Sequence, residues 1–213
     1  MFQERLHAAG IDRPIKDITV AYHLADKYFM REFPGVLGKH FKEYANKYEE
    51  LMLEYLKVQP SMKIPNEDEE SKLKWTAFPE TLPTLQKLKR AGFGIGLISN
   101  WDPSARDVLS QTGIDKYLDY AVISSEVKVE KPNEEIFYYG LKKADVSPEE
   151  SMYIGDNYYD DVLGSQRVGM DSMLINPYGR LGIEEVKDVP IIRDVNALKR
   201  EFLNDLESEF KAK

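Results

Sequence analysis

Five short apolar runs punctuate residues 75–213: GIGLIS (94–99), YAVIS (120–124), MYIG (152–155), SMLIN (172–176) and PIIR (190–193). Helical stretches separate them. Strands that are apolar throughout, rather than on alternate residues, are covered on both faces. Their alternation with helices predicts an α/β fold with a doubly wound, Rossmann-like parallel sheet. Ligands of such sheets bind beyond the carboxyl ends of the strands, so the residues that end each run carry the functional information.

The helices between the runs are well marked. Asp102 can cap a helix with Pro103 at its first position, and Gly113 ends it. Ser147-Pro148-Glu149-Glu150 has the spacing of a capping box. Gly92 and Gly169 stand at helix ends.

The first third of the chain has a different texture. Tyr44, Tyr48, Leu51 and Tyr55 share one helix face, and Ala21, Leu24, Ala25 and Tyr28 make a second stripe. Pro34-Gly35 separates the two helices, and Asn66 to Glu69 can cap a further short one. These stripes read as helix-to-helix core, the alternative being that some of the tyrosines line a substrate cleft. The expected organisation is a helical domain over residues 1–74 and an α/β domain over 75–213.

Composition narrows the function. A net charge of −8 without a basic stripe argues against nucleic-acid binding. No apolar run is long enough for a bilayer span. The opening MFQERLHAAG lacks a signal-peptide core. The absence of cysteine excludes thiolate metal sites and a cysteine nucleophile within these residues. A cytoplasmic protein is the expectation.

Three polar groups stand at or just after strand ends: Ser99-Asn100 after GIGLI, Lys131-Pro132 after YAVIS, and Gly155-Asp156 after MYI. A hydroxyl, an ammonium and a carboxylate meeting at one sheet edge suit a phosphoryl group, with hydrogen bonds to its oxygens, charge neutralisation and a bound Mg²⁺. Alone, Ser99-Asn100 fits a turn, Lys131 a solvated lysine, and Asp160-Asp161 favourable charge at a helix start.

Order and spacing together resemble the haloacid dehalogenase-like (HAD) hydrolases. GIGLISN matches that family's second motif at Ser99, EKPNEEIF its third at Lys131, and YIGDNYYDDVLG its fourth at Asp156 and Asp161. The stretches LISNWD and GDNYYDDVLGSQRVGM resemble the branch with an inserted helical cap, which residues 1–74 would form. The resemblance implies that Ser99 and the Asn100 backbone bind phosphate, with Ser99 and Lys131 acting in catalysis. It further implies that Asp156 is a Mg²⁺ ligand and that Asp161 supports the site from behind, pairing with Lys131. The implied activity is a Mg²⁺-dependent phosphatase of a small phosphorylated metabolite, ahead of a dehalogenase.

The family's first motif, Asp-x-Asp at the end of the first strand, supplies the nucleophile. No Asp-x-Asp occurs in these 213 residues. His7, His23 and His40 all fall in the helical third and offer Ser99 no base. The expectation is a sheet missing its first, central strand, in a chain with little or no activity by itself. That chain would be truncated, or completed by a strand-exchanged homodimer or a strand-donating partner. The alternative is an inactive relative that binds a phosphorylated ligand or a protein.

Overall fold

A computed structural model describes residues 2–39, 41–59, 75–200 and 202. The predicted cap at Asn66 to Glu69 lies outside them. The chain divides into two compact units, one of residues 1–74 with 181–183 and one of residues 75–180 with 184–213.

The helical unit contains α1 (Phe2–Ala8), α2 (Ile15–Glu32), α3 (Val36–Lys39) and α4 (Phe41–Tyr55). Gly35, at φ 81°, makes the turn after α2 that a side chain would strain. The face of α2 that is buried carries Ile18, Ala21, Ala25 and Phe29. It shares Ala21 and Ala25 with the predicted stripe but is rotated so that Phe29, which has no hydroxyl, takes the centre, while the polar-tipped Tyr28 packs at its edge. Phe29 packs against Phe33, Tyr44 and Tyr48 at centroid distances of 5.2, 6.4 and 5.2 Å. Full burial of such a ring contributes about 2–3 kcal/mol. From α4, Tyr48 and Met52 enter this core, with Tyr44, Leu51 and Tyr55 packed around it. The Tyr48 hydroxyl donates to the Asp26 carboxylate at 2.5 Å.

The α/β unit contains α5 (Thr81–Arg90), β1 (Gly96–Ser99), α6 (Ala105–Thr112), β2 (Tyr120–Ile123), α7 (Ser124–Val127), α8 (Glu134–Ala144), β3 (Met152–Gly155), α9 (Leu163–Arg167), β4 (Asp171–Ile175) and β5 (Ile191–Ile192). All strand pairs are parallel. Helix α6 starts at Ala105, later than predicted. Asp102 instead accepts from the Ser104 N–H at 2.7 Å and closes the turn before the helix. The capping box forms, with the Glu150 carboxylate accepting from both the N–H and the hydroxyl of Ser147 at 3.0 Å, but it opens only a single 3₁₀ turn.

Among the described residues the strands form two separate sheets, β1-β2 and β3-β4-β5. They are halves of one layer. One apolar cluster joins Ile98, Val122, Ile136, Phe137, Leu141 and Tyr153. Another joins Ile95, Leu88, Met152, Ile154, Met173 and Ile192. The first sets Tyr153 of β3 against β1, β2 and α8, and the second sets Ile95, just before β1, against β3, β4, β5 and α5.

Burial runs opposite to that of an ordinary doubly wound sheet, whose inner strands are the deepest. Three residues of β2 and three of β4 are buried, against one of β1 and none of β3. The main chain explains why. Ile95 exchanges hydrogen bonds with Asp119 on the β2 side, so alternation turns Gly96 and Ile98 away from β2. Ser151 accepts from the Asp171 N–H, so Met152 and Ile154 turn away from β4. The N–H and C=O groups of these four residues look into a gap that no described strand fills.

One irregular turn follows β3. Residues Tyr158–Val162 form a π-helical turn, with the Val162 N–H reaching back to the Asn157 carbonyl at 3.4 Å.

Candidate functional site

The carboxyl ends of β1 and β3 meet around Lys131. Ser99 is the last residue of β1, and Asn100 follows it. The Asn100 side chain is spent on the Lys131 main chain: its amide nitrogen donates to the Lys131 carbonyl at 2.9 Å, and its amide oxygen accepts from the Lys131 N–H at 2.8 Å. This is the pair of bonds a neighbouring strand would make. It leaves only the backbone of Asn100 for a ligand.

The Lys131 ammonium pairs with the Asp161 carboxylate at 2.5 Å and donates to the Tyr153 hydroxyl at 3.2 Å. The two side chains of the pair are 12% and 3% exposed. Burial works against the lysine charge, but the oxygens of Tyr153 and Asp161 outweigh it and hold the pKa above the ordinary lysine value. Lys131 is therefore a permanent cation at neutral pH. Burial also pushes the Tyr153 hydroxyl up, the nearby Lys131 charge opposing and the Asp161 charge adding to the shift. Tyr153 keeps its proton and donates it to the Ile98 carbonyl at 2.9 Å.

Asp161 accepts at both oxygens, the second from the Asn157 N–H at 3.0 Å. Asn157 also accepts from the N–H groups of Tyr159 and Asp160, at 3.0 and 3.2 Å, and donates to the Asp160 carboxylate at 2.8 Å. The Gly-Asp motif has a steric cause. A Cβ at Gly155 would collide with the Asp161 carboxylate. Gly164 likewise has no room, its Cβ falling 2.6 Å from the Phe137 ring.

Asp156 follows β3 and is exposed. Among the described residues no cluster of three His, Cys, Asp or Glu could hold a metal. Asp161 is committed to Lys131 and Asn157. The chain thus presents Asp156 as one accessible carboxylate, which suits Mg²⁺ only when phosphate oxygens, water and a second carboxylate complete the shell.

The structure therefore brings Asn100, Lys131 and Asp161 into contact and sets Ser99 and Asp156 at the two strand ends. Sequence reading missed Tyr153 and Asn157. The available signal for Tyr153 was a polar-tipped ring inside a strand that is otherwise apolar.

A parallel α/β architecture with a buried lysine–aspartate pair at its strand ends is what the geometry supplies. The chain belongs to the haloacid dehalogenase-like hydrolase family, whose model matches residues 2–169. It is 36% identical over 128 residues to glyceraldehyde 3-phosphate phosphatase of Methanothermobacter thermautotrophicus, covering 57% of each protein. It is 33% identical over 109 residues to haloacid dehalogenase-like hydrolase domain-containing protein 3 of Mus musculus, covering 51% of this chain and 43% of that one. The chain spans about half the length of the curated relatives it matches. Among solved structures, a HAD phosphatase from Thermococcus onnurineus superposes with a TM-score of 0.58 at 25% identity, covering 93% of this chain and 85% of that one. The Bacillus subtilis HAD-hydrolase YfnB gives 0.62 at 16% identity, with 95% and 89% covered, which shows the shared fold. No helix among the described residues is long and apolar enough to cross a membrane.

Proposed function

We propose that this chain forms the greater part of a phosphatase for a small phosphorylated metabolite. In this reading residues 75–213 are the hydrolase core and residues 1–74 a cap that selects the substrate. The observation that carries it is the buried Lys131 cation, fixed from three sides at the ends of β1 and β3. A fixed cation at the strand ends suits an anionic group such as phosphate.

The Ser99 hydroxyl and the Asn100 N–H would hydrogen-bond phosphoryl oxygens. Lys131 neutralises charge that grows on them, and Asp161 keeps the ammonium aimed. Asp156 would be one ligand of Mg²⁺, which when bound polarises the phosphoryl group. Attack at phosphorus needs an activated nucleophile held in line, which the family resemblance makes a carboxylate. These residues supply none, because Asp156 belongs to the metal and Asp161 to the lysine. The open gap between β1 and β3 is the place for it, on an inserted strand contributed by a further segment, a second copy or another polypeptide. The missing Asp-x-Asp also favours a second reading, in which the chain holds a phosphorylated ligand without turnover.

Phosphate release from glyceraldehyde 3-phosphate and p-nitrophenyl phosphate, with and without Mg²⁺, tests what the two readings share. The 213-residue chain should release little or none, yet inorganic phosphate should raise its melting temperature, and Ser99→Ala should reduce that rise. Robust Mg²⁺-dependent turnover abolished by Asp156→Asn would overturn the need for an added carboxylate. No response to phosphate would remove both readings.

A further inference from the structure

A side chain reaches across the gap. Ile98 turns its carbonyl into the gap, where a strand beside β1 would give it a backbone N–H. Instead the Tyr153 hydroxyl, reaching from β3, donates to it at 2.9 Å. The same hydroxyl accepts from Lys131, which Asp161 holds from the β3 side. A single polar chain, Ile98–Tyr153–Lys131–Asp161–Asn157, therefore ties the two half-sheets together at their carboxyl ends.

We infer that Tyr153 is a latch on a strand-binding slot: it closes the Ile98 carbonyl while the slot is empty and must release it when an extended segment enters. The inference rests on the reading above that a strand belongs between β1 and β3. The occupant is an extended apolar segment running parallel to both strands. Its apolar character follows from the half-exposed Leu97, Met152 and Ile154 that border the slot. A parallel direction sets its carboxyl end beside Lys131, where β1 and β3 also end. An acidic residue at its carboxyl end would meet that cation. On entry its N–H takes the Ile98 carbonyl, and the released phenol is left to Lys131 alone. Slot occupancy and the surroundings of the site lysine are thereby coupled through one hydroxyl.

The probe is a synthetic peptide, Lys-Lys-Val-Ile-Val-Phe-Asp-Gly, added to the full 213-residue chain and to its Tyr153→Phe variant. Hydrogen exchange at single amides and the peptide dissociation constant are the readouts. In the chain alone, the Gly96, Ile98, Met152 and Ile154 amides should exchange fast, while those of Leu97 and Tyr153 are protected. Peptide should protect the first four. Tyr153→Phe should lower the melting temperature of the free chain by about 4–8 °C, two lost hydrogen bonds in a protein of this size. It should also bind the peptide about 5–10-fold more tightly, because no latch has to break. Protection of the four gap-facing amides in the chain alone, or none with peptide, overturns the strand reading itself. Peptide protection with equal or weaker binding by Tyr153→Phe overturns the latch and leaves the strand reading standing.

Discussion

Replacing Asp161 with asparagine removes one charge and no volume, so it isolates the electrostatics of the Lys131 pair. Both oxygens of Asp161 accept from donors, Lys131 Nζ at 2.5 Å and the Asn157 N–H at 3.0 Å. Asparagine has one oxygen and one NH₂ group. Either orientation sets a donor against a donor, and the ammonium loses its counter-charge. Breaking a buried pair from one side costs about 3–5 kcal/mol. Lys131 is 12% exposed and keeps some water, so the lower end, about 3 kcal/mol, is expected. The chain has 2 tryptophans, Trp75 and Trp101, and both lie in the α/β unit. Tryptophan fluorescence therefore follows the unfolding of that unit. In urea, 3 kcal/mol moves the midpoint down by about 1–2 M at an unchanged slope of ~2 kcal/mol per M. Adding Lys131→Met should recover more than half of the loss, since no uncompensated cation is then left buried. A midpoint shift under ~0.3 M for Asp161→Asn would refute the reasoning, because a pair that matters so little is solvated.

Two further outcomes follow from the same geometry. Gly155→Ala puts a methyl group onto the Asp161 carboxylate, and should cost the α/β unit about 2–3 kcal/mol by urea unfolding; an open strand position would lose nothing. Asp119 is held below the ordinary carboxylate range by Lys89 and the Ile95 N–H. A depressed folded pKa gives stability that is present above about pH 4 and is lost as pH falls through the folded value. Asp119→Asn should therefore flatten the acid limb of a stability–pH profile, modestly, because Asp119 and Lys89 are 47% and 35% exposed.

The sequence made the strands legible because their apolar runs are continuous and end in glycine or polar residues. MYIG matches β3 residue for residue, and the other runs are recovered within one or two residues. The split between β1 and β3 was legible too, through the missing Asp-x-Asp. The partners of the polar side chains were not. Asn100 resembles any turn asparagine, and nothing in its neighbours says that its amide spans to a main chain 31 residues on. Tyr153 was hidden by its own apolar ring, which belongs to the core alongside Phe137 at 5.2 Å, while its hydroxyl belongs to the site. The buried face of α2 was misjudged because a stripe of alanines and a stripe ending in phenylalanine overlap on the wheel. Polarity decided between them, since Phe29 has no hydroxyl to keep in water.

The π-helical turn at Tyr158–Val162 makes this site sensitive to counting. An α-helical residue advances the chain by about 100° around its axis. The wide turn absorbs one extra residue, and so lets Asp161 look back toward Lys131 while Val162 and Ser165 still enter the interior. Removing one residue from this turn would return it to ordinary α winding and leave Val162 and Ser165 in phase with the core. What would be lost is the extra residue that lets Asp161 look back to Lys131. A length change of one here does more harm than most exchanges of side chain, even if every charged residue named above were kept.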